Sequence, residues 1–315
     1  ACQQKTMRVL LTKLSLLALS CGLSFVLYVS LWADGRSDAF YQRFTTPPQK
    51  SLVLGSSRGA QGIVPAVFNE SGLAFDGPLY NLSFTLFTSP YGPVYRDLVE
   101  RKLSCEATGG LFLLEVSPLA LSEPYDRPEG DTPLEFPEQD ACVGKVRFPC
   151  VRPNLEYLTR CYDGPFYKIA WNHFREKKML LHDDGWLEVT VPMDPAGVSR
   201  KISSLINTFS RDVFPQSRLS EARFEALSET IRFLLPRGQV YLVRLPVSGE
   251  LRQLEDAYAP QFDSRMTEIA TRCGVRYLNL FPESGRYATT DGTHLWKESA
   301  RQVSQEILRR IESDS

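Results

Sequence analysis

The chain has 315 residues, 43% of them hydrophobic and 23% charged, and a formal net charge of −1. That composition fits a globular protein and supplies no electrostatic case for binding nucleic acid. No glycine-rich dinucleotide or P-loop pattern occurs, and no Cys/His spacing suits a metal, so neither a cofactor nor a metal is expected.

Residues 14–32, LSLLALSCGLSFVLYVSLW, carry no charge and are long enough to cross a bilayer core of about 30 Å as a helix. Lys5, Arg8 and Lys13 precede the run and Asp34, Arg36 and Asp38 follow it. The positive-inside rule then puts residues 1–13 in the cytoplasm and the rest outside the cell membrane. Tyr28 and Trp32 stand where an interfacial aromatic belt belongs. A cleaved signal peptide would need a shorter apolar core, and a lipoprotein would use Cys21, but the apolar run continues past it. Residues 33–50, polar and with Pro47-Pro48, read as a linker to a domain over 51–315.

In that domain, short apolar runs alternate with segments of helical spacing. Strands are expected at Ser51–Leu54, from Leu79, over Gly109–Val116, Gln239–Leu245 and Val275–Phe281. Helices are expected over Tyr91–Leu103, Phe166–Leu181, Ser199–Phe214, Ser220–Leu235 (with Ser220 as N-cap), Glu250–Cys273 (with Gly274 as C-cap) and Leu295–Ile311. The alternation predicts an α/β fold, a three-layer α/β/α sandwich around a mostly parallel five-stranded sheet. Residues 120–215 are irregular and rich in Pro, Asp and Glu, and read as an insertion. Cys142, Cys150 and Cys161 cluster there, a spacing compatible with one disulfide or with free thiols. His173 and His182 read as structural.

Chemistry concentrates at two places. Gly55-Ser56-Ser57 follows the first strand, where an α/β sheet opens into a crevice. Asp291-Gly-Thr-His294-Leu295 precedes the last helix. A serine hydroxyl is a poor nucleophile until a base takes its proton, and an imidazole is the better base when a carboxylate orients it. The expectation is that Ser57, Asp291 and His294 meet in space as nucleophile, orienting acid and base. Arg58 is a candidate for an anionic substrate group or for the oxyanion, or else a structural ion pair. Asn81 lines the site or caps a turn.

These paired motifs resemble the SGNH, or GDSL-like, hydrolase superfamily, which carries Gly-x-Ser after its first strand and Asp-x-x-His near its C-terminus. The resemblance covers roughly residues 51–311 and implies a serine esterase or O-acyltransferase working through an acyl-enzyme. Such families draw oxyanion donors from the serine amide, from a glycine after the second strand and from an asparagine after the third. Here Tyr80-Asn-Leu-Ser83 lacks the glycine and Glu115-Val-Ser-Pro118 lacks the asparagine, which leaves Ser83 and Ser117 as replacement donors. The anchor and the Ser-Pro after the third strand look like the branch of membrane-anchored extracytoplasmic acyl-transfer proteins. That branch implies an acylated cell-envelope glycan or a small acyl ester as substrate and an integral-membrane acyltransferase as partner. The missing donors also leave open a catalytically inactive binding or assembly protein on the same fold.

Overall fold

The computed structural model describes residues 2–124, 137–175 and 178–313. Five strands form the central sheet: β1 (Ser51–Leu54), β2 (Leu79–Asn81), β3 (Gly110–Glu115), β4 (Gly238–Arg244) and β5 (Arg276–Asn279). Their order is β2-β1-β3-β4-β5 and every pairing is parallel. Leu52 lies opposite both Tyr80 and Phe112, and Phe112 opposite Val240.

The strands read as unbroken apolar runs because both faces of the sheet are covered. Leu52, Leu54, Phe112, Leu114, Val240 and Leu242 enter one core, with Leu98, Leu227 and Met266 from the helices Pro93–Lys102, Glu221–Leu234 and Phe262–Cys273. Val53, Leu111, Leu113, Tyr241 and Val243 enter a second core, with Phe68 and with Val303, Ile307 and Ile311 of the closing helix Lys297–Glu312. The chain leaves β1 toward β2 on one side and passes from β3 to β4 on the other. The carboxyl ends of β1 and β3 therefore flank the point where strand order reverses, which is where such sheets open a crevice.

Several expectations change on contact with tertiary structure. Phe166–Leu181 is not one helix: Tyr167–His173 is helical, and Met179–Leu181 is a strand paired antiparallel with Leu187–Val189. The turn between those strands contains Gly185 at φ +82°, and a side chain there would run into the Asn81 carbonyl. Glu250–Cys273 is two helices, Gly249–Tyr258 and Phe262–Cys273, because Pro260 lacks an N–H and disfavours helix at Ala259. Gly274 does cap the second, at φ +68°. The helix expected from Ser199 starts earlier, at Pro195, capped by Asp194. Ser220 stands at an N-cap, but its hydroxyl bonds Glu123 instead. Residues 125–136 and 176–177 of the expected insertion lie outside the described residues.

Cys142, Cys150 and Cys161 are free thiols. Burial pushes Cys142 up to about 12 and Cys161 up to about 11, which keeps both protonated at neutral pH.

The N-terminal helix Cys2–Trp32 is long and apolar enough to cross a membrane. The segment after it is no free linker. Tyr41, Arg43 and Phe44 are all fully buried or nearly so. Arg43 donates to the carbonyls of Ala39, Asn81 and Gly185, and its guanidinium lies 5.3 Å from the ring centroids of both Phe40 and Phe84. Among the described residues no carboxylate pairs with it; oriented carbonyls and aromatic faces surround the charge.

Arg43→Met would remove the guanidinium donor from two buried carbonyls and one part-buried one, and we expect it to lower the unfolding free energy by about 2–4 kcal/mol. Chemical denaturation checks this. Arg43→Lys should not restore the loss, because an ammonium cannot reproduce the planar fork.

Candidate active site

β1 ends at Gly55, whose φ of +147° favours glycine and whose Cβ, if present, would lie 2.7 Å from the Glu115 side chain. The peptide turns there. Gly55 donates its N–H to the Tyr95 hydroxyl and accepts from Ser89 Oγ at 2.7 Å. Ser56 is buried and held by Glu115, the last residue of β3. Its amide and its hydroxyl donate to the same carboxylate oxygen at 2.9 and 2.8 Å. Ser57 then opens the short helix Ser57–Gly62, and of the two serines it is the one partly exposed.

The second half comes from the loop before the closing helix. Asp291 Oδ1 accepts from the amides of Thr293 and His294, at 2.9 and 3.0 Å, folding the loop around Gly292 at φ +98°. Its other oxygen lies 2.8 Å from His294 Nδ1, and His294 Nε2 lies 2.9 Å from Ser57 Oγ. With Nδ1–H donating to the carboxylate, Nε2 is left as the acceptor for the Ser57 hydroxyl. Burial opposes charge on Asp291, but the bond and charge of His294 and the two loop amides outweigh it and bring the carboxyl down to about 2.

A scan against models of known protein families finds no match, and a search of curated proteins finds none.

The other residues singled out in the sequence have definite places. Asn81 is fully buried and braces the nucleophile's helix: its amide donates to the carbonyls of Gly59 and Ile63, both at 2.9 Å. Its side-chain oxygen accepts from the Ser83 amide at 3.0 Å, so that amide is already paired. The Ser83 hydroxyl is buried, has no hydrogen-bond partner among the described residues, and lies against Gly59. Ser117 is buried just past β3, and its carbonyl accepts from Ala120. Arg58 is buried in an ion pair with Glu255 at 2.5 Å and donates to Thr293 Oγ1 at 2.9 Å. Arg244 reaches the other Glu255 oxygen at 3.3 Å and Asp263 at 2.6 Å, with its guanidinium 3.4 Å from the Phe281 ring centroid.

Three residues that matter to this geometry carry no motif. Glu115 is a carboxylate ending an otherwise apolar strand, which is the one signal that marks it. Glu255 sits in a helix of ordinary charged composition. Thr293 is the variable residue before His294, yet it ties the acid–base loop to the residue after Ser57. Beside that loop lies a cleft of about 370 Å³ lined by Met193, Val198, Ile202, Ser248, Tyr287 and Thr289. Among the described residues no group of histidine, cysteine and acidic side chains could hold a metal.

Two outcomes follow. A carboxyl held near 2 favours the folded state above its unfolded value of about 3.9, and that contribution is lost as pH falls from there through about 2. The stability difference between the wild type and Asp291→Asn should therefore shrink as pH falls below about 4, measured by urea unfolding across pH. Thr293→Val keeps the shape but removes the acceptor for Arg58, and should cost about 1–2 kcal/mol of stability, with Thr293→Ser close to wild type.

Proposed function

We propose that the protein is a serine ester hydrolase or O-acyltransferase of SGNH type. The observation that carries this reading is the His294 imidazole bridging Asp291 and Ser57, at 2.8 and 2.9 Å. In the proposed reaction Ser57 Oγ attacks an acyl carbonyl carbon while its proton passes to His294 Nε2. The tetrahedral species collapses as the same proton goes to the leaving alcohol oxygen, leaving an acyl group on Ser57. Water or an acceptor hydroxyl then gives its proton to Nε2 and takes the acyl group, and Ser57 recovers its proton. Asp291 stays charged throughout and stabilises the imidazolium that forms twice in each cycle. The substrate class proposed is an acyl ester, on a cell-envelope glycan or a small alcohol.

The same proposal takes the domain as a three-layer sandwich with residues 120–215 as an insertion. It places the domain outside the cytoplasm, on the strength of the basic residues before the apolar helix. An integral-membrane acyltransferase is its proposed partner.

One observation favours a second reading, a catalytically silent binding or assembly protein. The Ser83 amide is paired with Asn81 and the Ser83 hydroxyl is shielded, which leaves the Ser57 amide, in the first turn of its helix, and Ser117 as the candidate donors for an oxyanion. A missing donor costs about 3 kcal/mol of transition-state stabilisation.

A fluorophosphonate probe and a p-nitrophenyl ester separate the two. On the enzyme reading the wild type is labelled and turns over, Ser57→Ala loses labelling, and Asp291→Asn falls by about 10³–10⁴-fold in kcat. Absence of both labelling and turnover in the wild type selects the silent protein, and full turnover by Ser57→Ala refutes Ser57 as the nucleophile.

A further inference from the structure

We propose that the segment Phe166–Phe174 is a second membrane-contacting element, lying in the lipid interface beside the N-terminal helix. This rests on the reading of that helix as a bilayer span, and it is independent of the chemistry at Ser57.

The helix Tyr167–His173 has two unlike sides. Ile169 is fully buried against the domain, whereas Tyr167, Trp171 and the following Phe174 are 68%, 59% and 71% exposed. Those three stand at i, i+4 and i+7, one stripe along a helix. Aromatic rings of that size, aligned and bare, mark a surface that something covers.

The occupant is set by what holds this helix in place. Tyr28, in the last turns of the apolar helix, donates to the Phe166 carbonyl at 2.8 Å and accepts from the Ala170 amide at 3.0 Å. Phe25 packs edge-on against Phe166 at 5.1 Å, and Trp32 against Phe174 at 5.0 Å. Asn172 donates to the Ser37 carbonyl, and His173 pairs with Asp34 at 2.7 Å. The segment is thus level with residues 25–32. If the uncharged run 14–32 fills the hydrocarbon core, Tyr28 lies four residues, or about 6 Å, inside its outer end. That is the depth at which an interfacial helix rests, with aromatic rings at the acyl boundary. Lys168 and Arg175 are exposed on the same segment, and the Arg175 guanidinium lies 5.8 Å from the Trp171 ring centroid, as a cation reaching toward anionic headgroups would. Continuity with the spanning helix therefore selects a phospholipid bilayer rather than a protein as the cover.

The test uses the full chain reconstituted into phosphatidylcholine–phosphatidylglycerol vesicles, with resistance to alkaline carbonate extraction as the check that the N-terminal helix is inserted. The emission of Trp171 is read as the difference between wild type and Trp171→Phe, which removes the signals of Trp32, Trp186 and Trp296. Phospholipid brominated near the headgroup end of its chains should quench that difference at least twofold, and aqueous iodide should leave it nearly unchanged. Tyr167→Trp in the Trp171→Phe background, one turn along the stripe, should behave in the same way. Quenching by iodide with no effect of brominated lipid would overturn the proposal. So would a tryptophan that neither quencher reaches, which would mean a protein covers the stripe. Failure of the carbonate check would instead refute the spanning helix itself.

Discussion

A carboxylate at the tip of β3 fixes where Ser57 can stand. Glu115 is fully buried, yet one of its oxygens takes both the amide and the hydroxyl of Ser56 across the gap from β1. A buried charge is tolerated only with such partners, so the two strand ends are bound together by the cost of separating them. Gly55 must be a glycine for the approach to happen, and Ser57 emerges on the open side because Ser56 is held on the closed one. The remaining geometry of the site is hung from that clamp.

The other half of the site is fixed by a second buried charge system. Arg58 and Arg244 share Glu255, Arg244 continues to Asp263, and Tyr277 closes the line by donating to Asp263 at 2.5 Å. Because Arg58 also holds Thr293, the residue after the nucleophile is joined to the residue before the base. Two loops 235 positions apart are thereby kept in register by charge-assisted hydrogen bonds in low dielectric, where they are strong. An open surface loop bearing a histidine would lack this precision.

The parts of this design that were legible in the sequence are those written in local pattern. Leu52–Leu54 and Leu111–Leu114 announce strands covered on both sides, and the parallel sheet follows from their alternation with helices. Ser57, Asp291 and His294 were legible because such chemistry needs those residue types and the Gly-x-Ser and Asp-x-x-His patterns carry them, and the structure does bring them together. What was hidden depends on distant partners. Glu115 and Glu255 look like ordinary acids until a serine amide and two arginines are seen to face them. Arg58, read either as a ligand for substrate or oxyanion or as a structural ion pair, is committed to Glu255 and Thr293. Met179–Leu181 looked helical because it continues the amphipathic pattern of Tyr167–His173, and only pairing with Leu187–Val189 makes it a strand. Pro260 was a local signal against the long helix.

The stretch from Ala33 to Phe44 carries a mechanical consequence. Arg43 welds it to the end of β2 and to the hairpin turn at Gly185, while Gly35 abuts Leu181. A domain joined to its anchor in this way has no leash. With the apolar helix in a bilayer, Ser57 keeps one height and one bearing above the lipid and sweeps no volume of its own. On the proposed enzyme reading its range is then a thin shell next to the membrane, and a substrate has to be carried into that shell.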